Sequence, residues 1–354
     1  MTWSVRSAVV IAACAALAPQ PQPPAPRPSP FAAQIAALSE APGYFDTDNL
    51  ISNERSYLQV LPELQRRNIR GGAYIGVGPD QNFSYIADLR PALAIIVDIR
   101  RDNLLLHLLF KALFSLSRTR VEYLALLTGR PVPAALDGWR TAPVERLVAY
   151  IDNTPAAPRR VDDAVNRIGV PLSADDRATI GRFHGRFIAE GLSLRFQSTG
   201  RPPQSYNPTL RDLLRETDSA GRQANYLASE EGFQFVKDLQ ARDLVIPVTG
   251  DLSGPSALIA IGRLIAARGE RLSAFYVSNV EFYLFGAGTF GRFAANLERL
   301  PRTPNSVLIR SVFGRFAAPA RSGDASSQHL QPVVELLREH AAGRIRSYGD
   351  IAAR

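Results

Sequence analysis

Five short stretches of the 354-residue chain carry the residue types best suited to chemistry. The first is Tyr74-Ile75-Gly76-Val77-Gly78-Pro79-Asp80-Gln81-Asn82. Its glycines permit a tight turn and close approach of the backbone to a ligand, and a following helix would offer free N–H groups. A dinucleotide fingerprint would have a third glycine where Gln81 stands. The second is Asp98, twenty-two residues beyond Gly76. A carboxylate at that strand tip accepts hydrogen bonds from ribose hydroxyls; its other reading is a cap on the helix that starts near Arg101. The third, Gly250-Asp251-Leu252-Ser253-Gly254, is again a glycine-flanked acid. The fourth, Ser278-Asn279-Val280-Glu281-Phe282-Tyr283, crowds polar groups after an apolar run. The fifth, Ser52-Asn53-Glu54-Arg55-Ser56-Tyr57, reads either as a helix cap or as a polar edge facing the other four.

These residues need elements to hold them. Apolar runs at residues 73–77, 93–98, 244–249, 272–277 and 306–312 read as strands, continuous enough to be covered on both faces. Helices are expected over about 53–67, 80–90, 254–268 and 287–300. Such alternation predicts an α/β fold, a doubly wound and mostly parallel sheet of Rossmann-like type. Residues 31–98 would be its first half and 244–354 its second. Between them, residues 99–243 show no convincing strand and read as a large helical insertion between the second and third strands. Its leucine-rich start, Asn103 to Leu116, is too short and too interrupted to span a bilayer. Ser173-x-x-Asp176 resembles a capping box.

Residues 1–30 differ from the rest: Arg6, an apolar run from Ala8 to Ala18, then seven prolines from Pro19 to Pro30. That order reads as a secretory signal and an extended linker. Ile11-Ala12-Ala13-Cys14 resembles a bacterial lipobox, so any membrane contact is expected only through lipid at Cys14. Export, to a periplasmic or lipid-anchored location, is favoured, with a cytoplasmic protein as the alternative.

Composition narrows the chemistry. A single cysteine excludes intrachain disulfides and multi-cysteine metal or redox sites, and four scattered histidines make a metal site unexpected. The net charge of +8 comes almost wholly from arginine, without the dense basic and aromatic patches of a nucleic-acid binder. The expected partner is a small molecule.

Glycine turn, strand-tip acid, second glycine-flanked acid and Asn-bearing fourth loop together resemble class I S-adenosylmethionine-dependent methyltransferases. More closely, Ser52-Asn53-Glu54-x-Ser56-Tyr57-Leu58, Tyr74 to Asn82 and Ser278-Asn279-Val280-Glu281-x-Tyr283-Leu284 resemble an uncharacterised bacterial family of methyltransferase-like fold. The resemblance implies that Gly76 and Gly78 border the methionine part of S-adenosylmethionine, Asp98 holds the ribose and Asp251 lies near the adenine. Asn279 and Glu281 would be catalytic, as orienter and general base, with Asn53, Glu54, Tyr57 and Tyr283 at the substrate or cofactor edge. Four features depart from the methyltransferase pattern. Tyr74 replaces an acid, Asp80 stands where a third glycine often sits, Ser-Asn-Val-Glu replaces Asn-Pro-Pro-Tyr, and no carboxy-terminal strand hairpin is evident after Val312. A non-catalytic exported or lipid-anchored ligand-binding module is the competing expectation. A nicotinamide-dependent oxidoreductase is disfavoured by the missing third glycine.

Overall fold

The computed structural model describes residues 28–202, 204–318 and 324–352. The signal-type segment, Cys14 and most of the proline run lie outside the described residues. Six strands form one sheet: β1 (Ala73–Gly76), β2 (Leu93–Asp98), β3 (Val245–Thr249), β4 (Leu272–Ser278), β5 (Arg302–Phe313) and β6 (Ser326–Pro332). Their spatial order is β3-β2-β1-β4-β5-β6. The first five run parallel and β6 runs antiparallel to β5. Every residue of β1 and β3 is buried, as continuous apolar strands between two covered faces require. The molecule is therefore a mixed α/β protein with a mostly parallel sheet, consistent with a Rossmann-like fold. Chain order reverses between β1 and β4, so the loops leaving these two strands diverge and open a crevice at their carboxyl ends.

The carboxy-terminal hairpin that the sequence hid is present as β5 and β6. Ser326-Ser327-Gln328-His329-Leu330-Gln331-Pro332 lacks apolar alternation because several of its polar side chains hydrogen-bond inward. Ser326 Oγ lies 2.6 Å from Ser56 Oγ, and Gln328 Nε2 donates to Ser311 Oγ at 2.6 Å. A strand that buries hydrogen-bonded polar groups carries no hydrophobic period.

Other boundaries shift. The folded body begins before residue 31: Ser29 accepts from the Ala32 N–H at 3.1 Å and caps the helix Pro30–Leu38, with Pro30 at the first position where no N–H is needed. That helix lies against β3. The helix expected over 53–67 is two pieces, a 3₁₀ turn Arg55–Leu58 and a helix Leu61–Arg66, with Pro62 in the first turn of the second. The helix expected over 287–300 is present as Phe290–Glu298, and a short helix that was not expected, Val280–Gly286, precedes it.

Among the described residues no strand of the sheet lies between β2 and β3. The helices of that interval do not form one separate body. Arg101–Leu116 packs directly on β2 and β3, and Glu230–Ala241 packs on it and on the helix Gln81–Leu89. The helix Ala174–Glu190 starts with the expected box: Ser173 Oγ accepts from Asp176 N at 3.0 Å and the Asp176 carboxylate from Ser173 N at 2.9 Å. No helix of the described residues is long and apolar enough to cross a membrane.

Candidate functional site

The turn after β1 is braced from within. Asn82 Nδ2 donates to the carbonyls of Val77 and Pro79 at 2.9 and 2.7 Å, while its Oδ1 accepts from Tyr74 Oη at 2.8 Å. Tyr74 thus spends its hydroxyl on the turn, which accounts for the residue that departs from the acidic pattern. A Cβ on Gly76 would lie 1.8 Å from Asn82 Oδ1, so Gly76 is glycine to admit this brace. Gly78 has φ +81°, a conformation that glycine adopts without steric cost. Behind it, buried His107 places Nε2 3.0 Å from the Gly78 carbonyl. Burial pushes the imidazole down to about 4, so the ring is neutral and Nε2 carries the donated proton.

At the tip of β2, Asp98 accepts from the Arg100 backbone N–H at 2.9 Å and from its guanidinium at 3.2 and 3.1 Å. Asp98 therefore orders the turn that leads into Arg101–Leu116 and borders the crevice, but it does not cap that helix, whose N-cap position is Arg100 without a side-chain cap bond. Three donors occupy three of its roughly four acceptor positions. At the tip of β3, Asp251 Oδ1 accepts from Ser253 N and Oγ at 2.7 and 2.9 Å. The N-terminus of the adjacent helix Ala257–Ala267 is already capped by Glu40, which accepts from Ser256 N at 2.6 Å and from Ala257 N. A ligand anion has no place there.

β4 ends on Ser278, a non-glycine residue with φ +51°. Its Oγ donates to Glu54 Oε1, while Tyr276 Oη donates to Glu54 Oε2 at 2.6 Å. Ser311 Oγ also donates to Oε2, as does Gln328 Nε2 at 3.0 Å. A carboxylate with 1% exposure is thus held by four neutral donors from β4, β5 and β6. Burial and the neighbouring Glu54 charge push the Tyr276 hydroxyl well above the usual phenol range.

Two further segments close the crevice. Thr47 bridges Ser198, Asp48 N donates to Gln197 O at 3.1 Å, and Thr199 N donates to Asp46 O at 2.6 Å. Arg100 anchors this flap by donating to Thr47 O at 2.7 Å, and Arg186 pairs with Asp48. A cavity of about 540 Å³ results, lined by the ends of β1 to β4, the Tyr44–Asn53 stretch and residues within 196–202 and 204–207. Its volume suits a small organic ligand.

Of the residues singled out by sequence, Asn53, Gly78, Asp98, Asp251, Asn279 and Tyr283 line this cavity. Four do not. Gly76 serves the Asn82 brace. Glu54 lies behind Ser278 in the hydrogen-bond cluster. Tyr57 is buried, donating to Leu213 O at 3.3 Å and accepting from Asn225 Nδ2 at 2.9 Å. Glu281, expected to be a base at the substrate, is fully buried and engaged by Arg310 through Nε–Oε2 and Nη2–Oε1 contacts of 2.6 and 3.0 Å. The helical turn after Asn279 directs it inward, against β5. Reasoning from sequence missed Gln81, Arg100 and the flap residues Thr47 and Arg201. Arg100 carries a signal, a basic residue two positions after a strand-tip acid. The flap carries none, since Thr47 and Ser198 are remote in the chain and meet only through the fold.

The class so defined is a mixed α/β protein with a cavity at the carboxyl edge of its parallel strands. Residues 49–136 and 195–341 match the family described as Domain of unknown function (DUF7790), and the chain belongs to that family. The match includes β1 to β6 and the flap segment around Ser198, and leaves out residues 137–194. No curated protein matches the chain.

Proposed function

We propose that the cavity binds S-adenosylmethionine and that the protein is a methyltransferase-like protein acting on a small molecule. One observation carries this reading: four strand tips, on both sides of the chain reversal between β1 and β4, converge on a single cavity. The residues fit the group. Gly78, at φ +81°, brings backbone against the cavity with no side chain in the way. Asp98 retains an acceptor position for a ribose hydroxyl, and Asp251 offers a carboxylate beside the place for an adenine amine. When bound, the group supplies a methyl on a cationic sulfur, open to direct displacement. Asn279 would orient the acceptor, and the Thr47–Ser198 flap would exclude water and hold the partners in line. In this reading the sheet is of the methyltransferase type, and the insertion is residues 137–194 rather than the whole of 99–243.

A second reading, a non-catalytic ligand-binding module, is favoured by the sealing of Glu281 against Arg310, which removes the expected general base from the cavity. It accords with the exported or lipid-anchored location proposed for the leader and Cys14. Neither reading involves nucleic acid.

Titration calorimetry of the full chain with S-adenosylmethionine, its demethylated product and NAD tests the proposal. Binding of the first two and not of NAD is expected. Ligand at 100 times its Kd should also raise stability by about 2.7 kcal/mol. No heat with either adenosyl compound would refute it. Methyl transfer to an added acceptor would decide between the enzyme and the module.

A further inference from the structure

Glu54 is buried, accepts four hydrogen bonds from neutral groups, and has no ionic partner among the described residues. Its nearest neighbours toward the cavity are Ser278, which lines it, and Tyr276, which contacts Gln81 in its wall. The carboxylate can only accept, and this imposes a direction on the chain of hydrogen bonds around it. Ser278 Oγ gives its single proton to Glu54, so the side of Ser278 facing the cavity can only accept. Tyr276 Oη gives its proton to Glu54 at 2.6 Å and must therefore accept from Gln81, whose Nε2 lies 3.4 Å away. The Gln81 amide is thereby oriented, and its Oε1 is left buried without any donor. Gln81 is 6% exposed, and an amide oxygen left unpaired at that depth is costly unless a ligand satisfies it.

We infer that Ser278 Oγ and Gln81 Oε1 form a subsite for a primary ammonium group, with the Glu54 carboxylate behind them as its counter-charge. Charge around the cavity agrees. Asp98 is paired with Arg100 and Asp46 with Arg201, whereas Asp251 in the wall and Glu54 behind it have no basic partner among the described residues. A cation is the ligand charge that such a cavity favours, because an unpaired carboxylate in low dielectric gains most from it. Ser278 keeps a φ of +51°, unfavourable for a residue with a Cβ, while its hydroxyl is held by Glu54.

The ammonium could belong to the amino-acid part of an adenosyl cofactor or to an amine substrate, and the first case rests on the function proposed above. The test uses the full chain, with variants Gln81→Leu and Ser278→Ala and three probes: n-butylammonium chloride, the demethylated cofactor product, and 5′-methylthioadenosine, which lacks the amino-acid part. The subsite predicts that n-butylammonium binds the wild-type protein detectably and each variant about tenfold more weakly, the loss of one charge-assisted hydrogen bond. If the cofactor supplies the ammonium, the demethylated product weakens by the same factor in the variants and 5′-methylthioadenosine does not change. If a substrate supplies it, both nucleosides bind the variants as they bind wild type while n-butylammonium is still lost. Unchanged n-butylammonium affinity in both variants, or none in the wild-type protein, overturns the subsite. Absence of nucleoside binding alongside variant-sensitive n-butylammonium binding refutes the cofactor reading and leaves the subsite standing. Circular dichroism of each variant, matched to wild type, separates lost binding from lost folding.

Discussion

Arg310 donates two hydrogen bonds to Glu281 at 2% and 0% side-chain exposure, and neither residue borders the cavity. Removing one partner leaves the other charge buried and alone, at a cost of about 3–5 kcal/mol. Glu281→Gln should therefore lower stability in urea denaturation by an amount of that order. It should leave the affinity of the cavity for its ligand unchanged under conditions where the variant is folded. A large affinity loss with intact stability would return Glu281 to a role at the ligand. Glu54, also buried, differs because its partners are neutral donors, one of which, Ser278, lines the cavity. Identical residue types in two polar motifs thus do different work, one sealing the core and one setting the direction of hydrogen bonds toward a ligand.

At the scale of elements, the turn from β1 into Gln81–Leu89 is rigid because one amide, Asn82, holds two of its carbonyls and the Tyr74 hydroxyl. A methyl group on Gly76 would displace that amide. Overpacking of this kind costs about 1–3 kcal/mol, so Gly76→Ala should lower stability by roughly 2 kcal/mol and weaken ligand binding through loss of the turn. Gly181, inside the helix Ala174–Glu190, has nothing within 4 Å of an added Cβ. Gly181→Ala should instead stabilise by about 0.5–1 kcal/mol through helix propensity. Thermal or urea denaturation of the two variants side by side gives the comparison. A tolerated Gly76→Ala would show that the brace is dispensable. The flap is the opposite kind of element, made of two segments without regular structure of their own and tied to the body by Arg100 and Arg186.

For the whole molecule, stability should depend on pH through two fully buried groups of opposite sign. Burial pushes Asp80, at the start of Gln81–Leu89, up to about 7 from 3.8. The folded state then holds a proton that the unfolded state releases, so this contribution is complete below about pH 4 and is lost as pH rises through 7. Burial pushes His107 down to about 4 from 6.5. Here the unfolded state takes the proton first, so stability is lost as pH falls from about 6.5 toward 4. Asp80→Asn isolates the first effect. The variant should gain stability relative to wild type as pH rises from 5 to 8, read from urea denaturation at each pH. A difference constant over that range would show that Asp80 does not titrate there.

Much of the scaffold is legible in the chain. Strands β1 to β4 announce themselves as buried apolar runs, and glycine or acid at each tip marks the edge where a ligand belongs, because such runs can form only in a sheet covered on both faces. Gly78, Asp98 and Asp251 are marked in this way, and with Asn53, Asn279 and Tyr283 from the other polar motifs they meet at one cavity. β6 is not legible, since polar residues that satisfy one another inside a fold look the same in sequence as residues that face water. Nor can the chain alone distinguish Glu54 from Glu281. Both follow an asparagine-containing polar stretch, and only the position of Arg310 against one, and of Tyr276, Ser278, Ser311 and Gln328 against the other, separates them. Local periodicity and turn chemistry determined which elements form, because those depend on neighbours along the chain. Which side chains face the cavity, and with what charge and hydrogen-bond direction, was decided by contacts between residues up to 274 positions apart, a separation that no local pattern encodes.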